Sequence, residues 1–175
     1  MQVFLPFFDF RLVALCLDNK RLNKQLVEAY QIIAKRLSYT HMRHPAVLLW
    51  EPYLGTLADY AAVLCEEYHN RFHKIHKVAE FIASNKFENQ NQTCWFLNEN
   101  SEDGKLILLS HRVNLLRKNY SHYSQFFNVE NLNAYPQGYY WAVTANQKLK
   151  SAKDSHTWKI FVKNNFLPDK EDNFR

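Results

Sequence analysis

Four polar side chains that could act together follow Asp18 at helical spacing. Positions i, i+3, i+4 and i+7 hold Arg21, Lys24, Gln25 and Glu28, and on a helix these positions share one face. The spacing therefore places a carboxylate, a candidate catalytic group, among cations. The same pattern also fits an ordinary solvent-exposed helix face on which Lys24 and Glu28 form an i,i+4 ion pair. Spacing alone leaves both interpretations open.

A second candidate segment, SHRVNLLRKNYSHYSQFF, interleaves cations with aromatic rings. Its cations include Arg112, Arg117 and Lys118, and its rings include Tyr120 and Tyr123. Arginine can hold a phosphate through two parallel hydrogen bonds, and tyrosine can stack on a displaced base. The segment is thus typical of a nucleic-acid-binding surface. It fits equally well a helix whose last turn is basic and whose aromatic residues belong to the core.

Histidines form two further groups. His69, His73 and His76 follow one another at i, i+4 and i+7, so imidazoles from successive helical turns could share a metal ion. Because no HExxH or similar motif accompanies them, we expect no metal ion and no cofactor, and a metal-dependent hydrolase is a third alternative. His41 and His44 lie in a predicted loop, where they could contact phosphate or substrate, or His44 could cap the next helix.

The element that positions the first group is predicted to be an amphipathic helix. It follows an extended apolar start around Pro6, a residue that disfavours helix. The helix begins near Asp18 or Asn19, either of which can serve as its N-cap. Its apolar stripe comprises Leu22, Leu26, Ala29, Tyr30, Ile33 and Leu37. The polar face with the candidate carboxylate lies opposite this stripe.

Further helices are predicted along the chain. Pro45 suits the first turn of a helix that we expect to run to about Arg71. Residues 72–83 and 106–118 show the same periodicity, and the polar stretch SNKFENQNQT between them indicates a long loop. Residues 120–141 are aromatic and rich in turns, and a last short helix or strand is expected before a charged tail.

The composition supports a helical organisation. The chain has 175 residues, of which 47% are hydrophobic, and this fits one folded domain. Only 3 Gly and 5 Pro are present, too few for the hairpins of a sandwich or barrel of many short strands. We therefore predict a mostly α fold, a single compact helical domain with an extended N-terminal segment. Residues 1–150 are expected to form this domain, and residues 151–175 an extension packed on it.

The cysteines and the net charge indicate the cell compartment and the kind of binding partner. Cys16, Cys65 and Cys94 are far apart and form no CxxC pair, which argues against a disulfide framework and a zinc finger. We find no long apolar run and no secretion signal, so we expect an intracellular protein without a membrane partner. The net charge of +5 and the pI of about 9.0 favour binding to a polyanion.

Four sequence blocks, taken in order, resemble the pyrimidine dimer DNA glycosylase (endonuclease V-like) family, in particular its longer bacterial branch. The blocks are MQVFLPFFDF, LDNKRLNKQLVEAYQII, RHPAVLLW and LSHRVNLLRKNYSHYSQFF, and they span most of residues 1–130. The resemblance implies a compact helical protein that flips a nucleotide out of damaged double-stranded DNA. It implies removal of a damaged pyrimidine, such as one in a pyrimidine dimer, and cleavage at the resulting abasic site. We expect a monomer.

The resemblance also implies the chemistry. In this family an α-amino group attacks the sugar C1′ and forms an imine, and its ordinary pKa of about 8, against about 10.4 for lysine, leaves more of it uncharged near neutrality. Because Gln2 is large, we expect the initiator methionine to be retained, which makes the Met1 amine the nucleophile. If Met1 were removed, Gln2 could cyclise. Glu28 matches the family's glutamate, whose carboxylate stabilises the cationic sugar and assists proton removal.

DNA contacts are implied along the same blocks. The family's basic phosphate contacts match Arg112, Arg117 and Lys118, and its aromatic DNA-contacting segment lies near Tyr120 and Tyr123. The remaining predicted DNA contacts are Arg21, Lys24, Gln25 and His44. Two other functions are compatible with these residues: a nucleic-acid-binding module without catalysis, and a glycosylase for a different modified base.

Overall fold

A computed structural model of the chain describes residues 2–34, 44–89, 94–129, 132, 139–142 and 149–151. Within these ranges the α-helices are α1 (Phe10–Cys16), α2 (Asn19–Ile33), α3 (Pro45–Trp50), α4 (Leu54–Phe72), α5 (Lys77–Ala83), α6 (Glu102–Lys118) and α7 (Tyr120–Tyr123). Short 3₁₀ turns cover Glu51–Tyr53 and Trp95–Leu97, and two strands are β1 (Tyr140–Ala142) and β2 (Leu149–Ser151). The prediction of a mostly helical fold is confirmed.

Helix α2 begins where the sequence predicts. Asp18 is its N-cap, and Asp18 Oδ1 accepts a hydrogen bond from the Arg21 backbone N–H at 2.8 Å. This bond satisfies one of the amide groups that a helix start leaves without an intrahelical partner. The apolar side of α2 packs against α4, and Leu22, Leu26 and Ala29 are fully buried there. The predicted stripe residue Leu37 lies outside the described residues.

The predicted helix from Pro45 to Arg71 is interrupted. Pro45 occupies the first turn of α3 as expected, but α3 ends at Trp50, and a 3₁₀ turn containing Pro52 precedes α4. Proline lacks a backbone N–H and clashes with the preceding turn, which explains the break. A second difference concerns residues 72–83, where the helix begins only at Lys77. His73 ends α4 in the left-handed conformation, with φ 52°.

The extended N-terminal segment is part of the core. Val3, Phe4, Leu5 and Phe7 are buried and belong to the same hydrophobic cluster as the apolar faces of α2, α4 and α6. Burying apolar side chains contributes about 25 cal/mol per Å² removed from water. The segment is therefore held against the helices by packing along most of its length, and this fixes the backbone at the beginning of the chain.

Helix α6 carries the C-terminal strands. The Tyr140 backbone N–H donates to Ser110 Oγ of α6 at 3.1 Å, and Tyr140 is fully buried. Strand β1 pairs antiparallel with β2, with Tyr140 opposite Ser151. The strand β2 agrees with the short element expected before the tail, while residues 152–175 of the expected extension lie outside the described residues. Each helix in the described part of the chain is too short or too polar to span a bilayer.

Candidate active site

One pocket brings the start of the chain together with the polar face of α2. Its volume is about 460 Å³. Its walls also include residues from the end of α6, the start of α3 and the segment before β1. The lining residues are Gln2, Phe4, Lys20, Arg21, Lys24, Gln25, Glu28, His44, Lys118 and Tyr139. Six of the eleven residues predicted from the sequence as catalytic or DNA-contacting therefore lie around one cavity: Arg21, Lys24, Gln25, Glu28, His44 and Lys118.

Glu28 is the carboxylate in the wall of this pocket, and it is bound to the N-terminal segment. The Gln2 backbone N–H donates to Glu28 Oε2 at 3.1 Å, and the Gln25 side-chain amide donates to the same oxygen at 3.0 Å. Glu28 is only 7% exposed. The predicted ion pair with Lys24 also exists, with 3.7 Å between Lys24 Nζ and Glu28 Oε1. The polar face of α2 is therefore not an ordinary solvated surface, because its carboxylate contacts the beginning of the chain.

Cations surround this carboxylate from two helices. Arg21 lines the pocket while its guanidinium contacts Asp18 at 2.5 Å, which restrains it near the start of α2. Lys118, the last residue of α6, lines the same pocket. Burial, with the nearby charges of Arg21 and Lys24, lowers the pKa of Lys118, and the charge of Glu28 opposes this shift. Like charges lower an ammonium pKa when they share a site, so this shift indicates that Lys118 lies close to the charges of Arg21 and Lys24.

Aromatic side chains close the pocket on its apolar side. The ring of Tyr139 meets Phe4 edge-on at 5.9 Å and His111 at 5.6 Å. Burial and the charge of Glu28 raise the pKa of Tyr139 to about 12, with Arg21 opposing. The Tyr139 hydroxyl therefore keeps its proton at neutral pH, and the ring adds a neutral, flat surface to the otherwise charged cavity.

His111 on α6 is hydrogen-bonded to two residues of the N-terminal segment. Its Nδ1 accepts a hydrogen bond from the Leu5 backbone N–H at 2.8 Å, and its Nε2 contacts the Gln2 side-chain amide at 2.7 Å. His111 is fully buried, and burial lowers its pKa to about 3. The ring is therefore neutral at physiological pH and serves as a fixed hydrogen-bonding partner of residues 2 and 5.

His44 caps a helix, one of the two roles expected from the sequence, and its contact with phosphate or substrate stays a prediction. Its Nδ1 accepts a hydrogen bond from the Ala46 backbone N–H at 3.1 Å, so it caps α3. It also lines the pocket. A capping histidine held in this way has its ring orientation fixed by the start of the helix.

Not all predicted DNA contacts on α6 and α7 line the pocket: Lys118 does, whereas Arg112 and Tyr123 do not. Arg112 is buried, its Nε donates to the Pro6 carbonyl at 2.7 Å, and its guanidinium lies over the Phe7 ring. Tyr123 is fully buried, and its hydroxyl donates to Asp18 Oδ2 at 3.1 Å. Both side chains pack within the core and do not line the pocket, and their contact with DNA stays a prediction. Their contacts join distant parts of the chain.

Arg117 and Tyr120, the other predicted DNA contacts on α6 and α7, are neither fully buried nor part of the pocket wall. The Arg117 guanidinium donates to the Leu132 carbonyl at 3.1 Å, and burial lowers its pKa. Tyr120 is 57% exposed on α7. Neither residue lines the pocket. Tyr120 is accessible to a macromolecule at the surface, whereas the Arg117 guanidinium is bonded to the Leu132 carbonyl.

Met1 and His41 lie outside the described residues. The row of histidines does not form a metal site: α4 ends at Phe72, and His73 and His76 cap α4 and α5 instead of continuing one helical face. Among the described residues, no three His, Cys, Asp or Glu side chains are arranged to hold a metal ion.

Sequence reasoning missed four residues that line the pocket, Gln2, Phe4, Lys20 and Tyr139, and also the buried His111 next to it. Gln2 and His111 contact each other although 109 positions separate them, and Tyr139 reaches the pocket from a segment without clear periodicity. No local pattern reports such long-range contacts. Lys20 had a usable signal, because it lies one residue before Arg21 and adds to the same basic cluster.

The first part of the chain matches a known protein family. The family profile described as pyrimidine dimer DNA glycosylase matches residues 1–81, a range that includes Gln2, Gln25, Glu28 and His44. No curated protein and no solved structure matches the chain significantly. Over residues 1–81 the chain is therefore similar to the pyrimidine dimer DNA glycosylase family, and this similarity supports a general role as a DNA glycosylase.

Proposed function

We propose that the protein is a bifunctional DNA glycosylase and abasic-site lyase that uses its N-terminal α-amine as the nucleophile. The observation that carries the proposal is the 3.1 Å contact between the Gln2 backbone nitrogen and Glu28 Oε2 in a cationic pocket. The α-amine of Met1 is attached to this nitrogen through a single residue of backbone. The start of the chain and a carboxylate therefore meet at the same cavity, as the proposed chemistry requires.

The reaction begins with substitution at the sugar. The uncharged α-amine attacks C1′ of the damaged nucleotide, the bond from C1′ to the base breaks, and the base leaves with the bonding electron pair. The nitrogen then gives up a proton, the C1′–O bond of the sugar ring breaks, and the ring oxygen takes up a proton, which leaves a protonated imine between the amine and C1′. The negative charge of Glu28 stabilises this cation.

Strand cleavage follows from the imine. Glu28 or a water next to it accepts a proton from C2′, and the electrons of that C–H bond form a double bond between C2′ and C3′. The 3′ phosphate leaves with the electrons of the C3′–O bond, which is a β-elimination. Water then hydrolyses the imine and releases the amine for another cycle. Positioned proton transfer of this kind contributes about 10²- to 10⁴-fold in rate.

The cations around the pocket bind the substrate in this proposal. Lys20, Arg21, Lys24 and Lys118 can contact the phosphates on either side of an extruded nucleotide. A volume of about 460 Å³ falls in the range of pockets that hold a small organic ligand, which a flipped base and sugar resemble in size. Damaged pyrimidines are the proposed substrates, with pyrimidine dimers first among them.

A substrate panel tests this function. Duplexes carrying a cyclobutane pyrimidine dimer, an abasic site, uracil or a modified pyrimidine are incubated with the protein, with and without borohydride, after its intact mass has established the N-terminal residue. We expect cleavage of one glycosidic bond of the dimer, whose base stays attached to its neighbour through the cyclobutane ring, strand cleavage at the abasic site and a covalent adduct with borohydride. Salt-sensitive binding without any product or adduct contradicts the proposal and supports a non-catalytic binding module.

A further inference from the structure

Gln25 is the most completely hydrogen-bonded side chain of the pocket. It is fully buried, and its amide nitrogen donates to Glu28 Oε2 at 3.0 Å and to the Gln2 carbonyl at 2.7 Å. Its amide oxygen accepts from the Phe4 backbone N–H at 2.6 Å and lies 3.0 Å from the Tyr60 hydroxyl, which donates to it. One side chain thus joins the carboxylate, the N-terminal backbone and α4.

The orientation of this amide is fixed by its partners. A glutamine amide offers two N–H groups and an oxygen with two lone pairs, and the partners around Gln25 match all four. If the amide were turned over, its oxygen would face the Gln2 carbonyl and the Glu28 carboxylate, and its nitrogen would face the Phe4 N–H. Those three contacts would be repulsive. The two donors therefore point towards the carbonyl and the carboxylate.

We propose that Gln25 is a positioning residue that orients the Glu28 carboxylate towards the start of the chain. This role rests on the proposed function, and it differs from the direct DNA contact expected from the sequence. Gln25 has no ionisable group, so it donates to Glu28 at every pH, and the donated bond stabilises negative charge on the carboxylate. By holding residues 2 and 4 through their backbone, it also fixes the chain from which the nucleophile extends.

Replacing the donor by an acid provides a test that packing alone does not affect. In the Gln25→Glu variant a second carboxyl group of the same shape lies next to Glu28, and two carboxyl groups at this distance do not both ionise readily. The other charged or titratable groups around Glu28 are Lys20, Arg21 and Lys24 on α2, Lys118 on α6, Tyr60 on α4, Tyr139 before β1 and His44 at α3. All of them are unchanged in this variant.

The experiment measures single-turnover cleavage of an abasic duplex between pH 5 and 9. For Gln25→Glu we expect the acidic limb of the rate profile to move up by about one pH unit or more, with a loss of about 10-fold at pH 6. Binding to a duplex with a reduced, uncleavable abasic site should stay within about 3-fold of wild type, because Gln25 contacts protein and not DNA. Gln25→Met, similar in length but without hydrogen bonds, should also lose about 10-fold in rate with binding retained.

Ser110→Ala is the matched control for lost stability. It removes the buried hydrogen bond that Ser110 Oγ on α6 accepts from the Tyr140 backbone N–H, and neither of these two residues lines the pocket. We expect a lower melting temperature and a wild-type pH profile. A wild-type profile in folded Gln25→Glu overturns the positioning role, and so does a loss of binding as large as the loss of rate, since that identifies a DNA contact. If the wild-type protein itself neither cleaves nor forms an adduct, the proposed function fails instead.

Discussion

Glu28 is the residue on which the proposed chemistry depends most. It is a nearly buried carboxylate with a backbone donor, an amide donor and a lysine around it. A purely structural carboxylate could be replaced by an amide of the same shape with little effect on a reaction, whereas a proton acceptor could not. The difference between these two cases can be measured directly.

Glu28→Gln should abolish most strand cleavage while binding is retained. We expect the single-turnover rate on an abasic duplex to fall by about 10²-fold or more, because the amide neither accepts a proton nor stabilises the imine cation. The dissociation constant for the uncleavable duplex, measured by fluorescence anisotropy, should change by no more than a few-fold. Glu66→Gln, an exposed position on α4 away from the pocket, is the control. Unchanged cleavage in Glu28→Gln would contradict the role given to this carboxylate.

Single residues also show how far sequence reasoning reaches. The group around Glu28 could be predicted because four of its members lie on one helix face at regular spacing. The burial of Arg112 and Tyr123 could not be predicted, because a buried side chain and an exposed one can have the same local sequence. Gln2, His111 and Tyr139 could not be found, since the contacts of Gln2 with His111 and of Tyr139 with Phe4 each span more than 100 positions.

Among the structural elements, α2 positions more of the pocket than any other described helix. Its N-cap is reinforced: Asp18 accepts from the Arg21 backbone, contacts the Arg21 guanidinium at 2.5 Å and accepts from the Tyr123 hydroxyl. Burial alone would raise the pKa of Asp18, but hydrogen bonds from Arg21, the Arg21 charge and the Tyr123 hydroxyl outweigh it and lower the pKa. The carboxylate is therefore favoured in the folded state.

Asp18→Ala should destabilise the protein by about 1–2 kcal/mol at pH 7, the usual cost of losing a good N-cap. Asp18→Asn keeps a capping side chain and should lose less. Because folding lowers the pKa of Asp18, the stability contributed by its charge is present above the unfolded value of about 3.9 and is lost as the pH falls through the lower folded value. Urea unfolding of wild type and Asp18→Asn at pH 7 and at about pH 2 should therefore show a difference that disappears in acid. A wild-type unfolding free energy for Asp18→Ala at pH 7 would contradict the capping role.

The helices themselves were predictable to the extent that local signals mark their ends. Asp18 and Pro45 are such signals, and both occur where the sequence placed them. The break around Pro52 and the left-handed His73 were missed, because the hydrophobic periodicity continues past both positions. Periodicity reports which face is apolar, and it does not report where a tertiary contact stops a helix.

For the whole molecule, net positive charge is expected to act mainly through the residues around the pocket. The chain carries 22 Lys and Arg against 17 Asp and Glu, and Lys20, Arg21, Lys24 and Lys118 concentrate at one cavity. Each cation that neutralises a phosphate releases condensed counterions. The logarithm of the binding constant therefore falls linearly with the logarithm of the salt concentration. The slope of that dependence counts the phosphate contacts.

Lys118→Ala should lower this slope by about one and weaken binding to damaged and undamaged duplexes alike. Lys105→Ala is the matched control, because Lys105 lies on the same helix, pairs with Glu102 at 3.0 Å and does not line the pocket. The measurement is fluorescence anisotropy of a labelled duplex between about 50 and 200 mM salt. Equal slopes for both variants would show that Lys118 does not contact phosphate.

The position of the covalent bond to DNA is the most direct test of whether the N-terminal α-amine is the nucleophile. The protein is incubated with an abasic duplex and borohydride, the adduct is digested, and the modified residue is located by mass spectrometry. We predict that the reduced bond lies on the α-amine of the N-terminal peptide, next to Gln2 and within reach of Glu28. An adduct on a lysine side chain such as Lys118, or no adduct from protein with an intact N-terminus, would contradict the account.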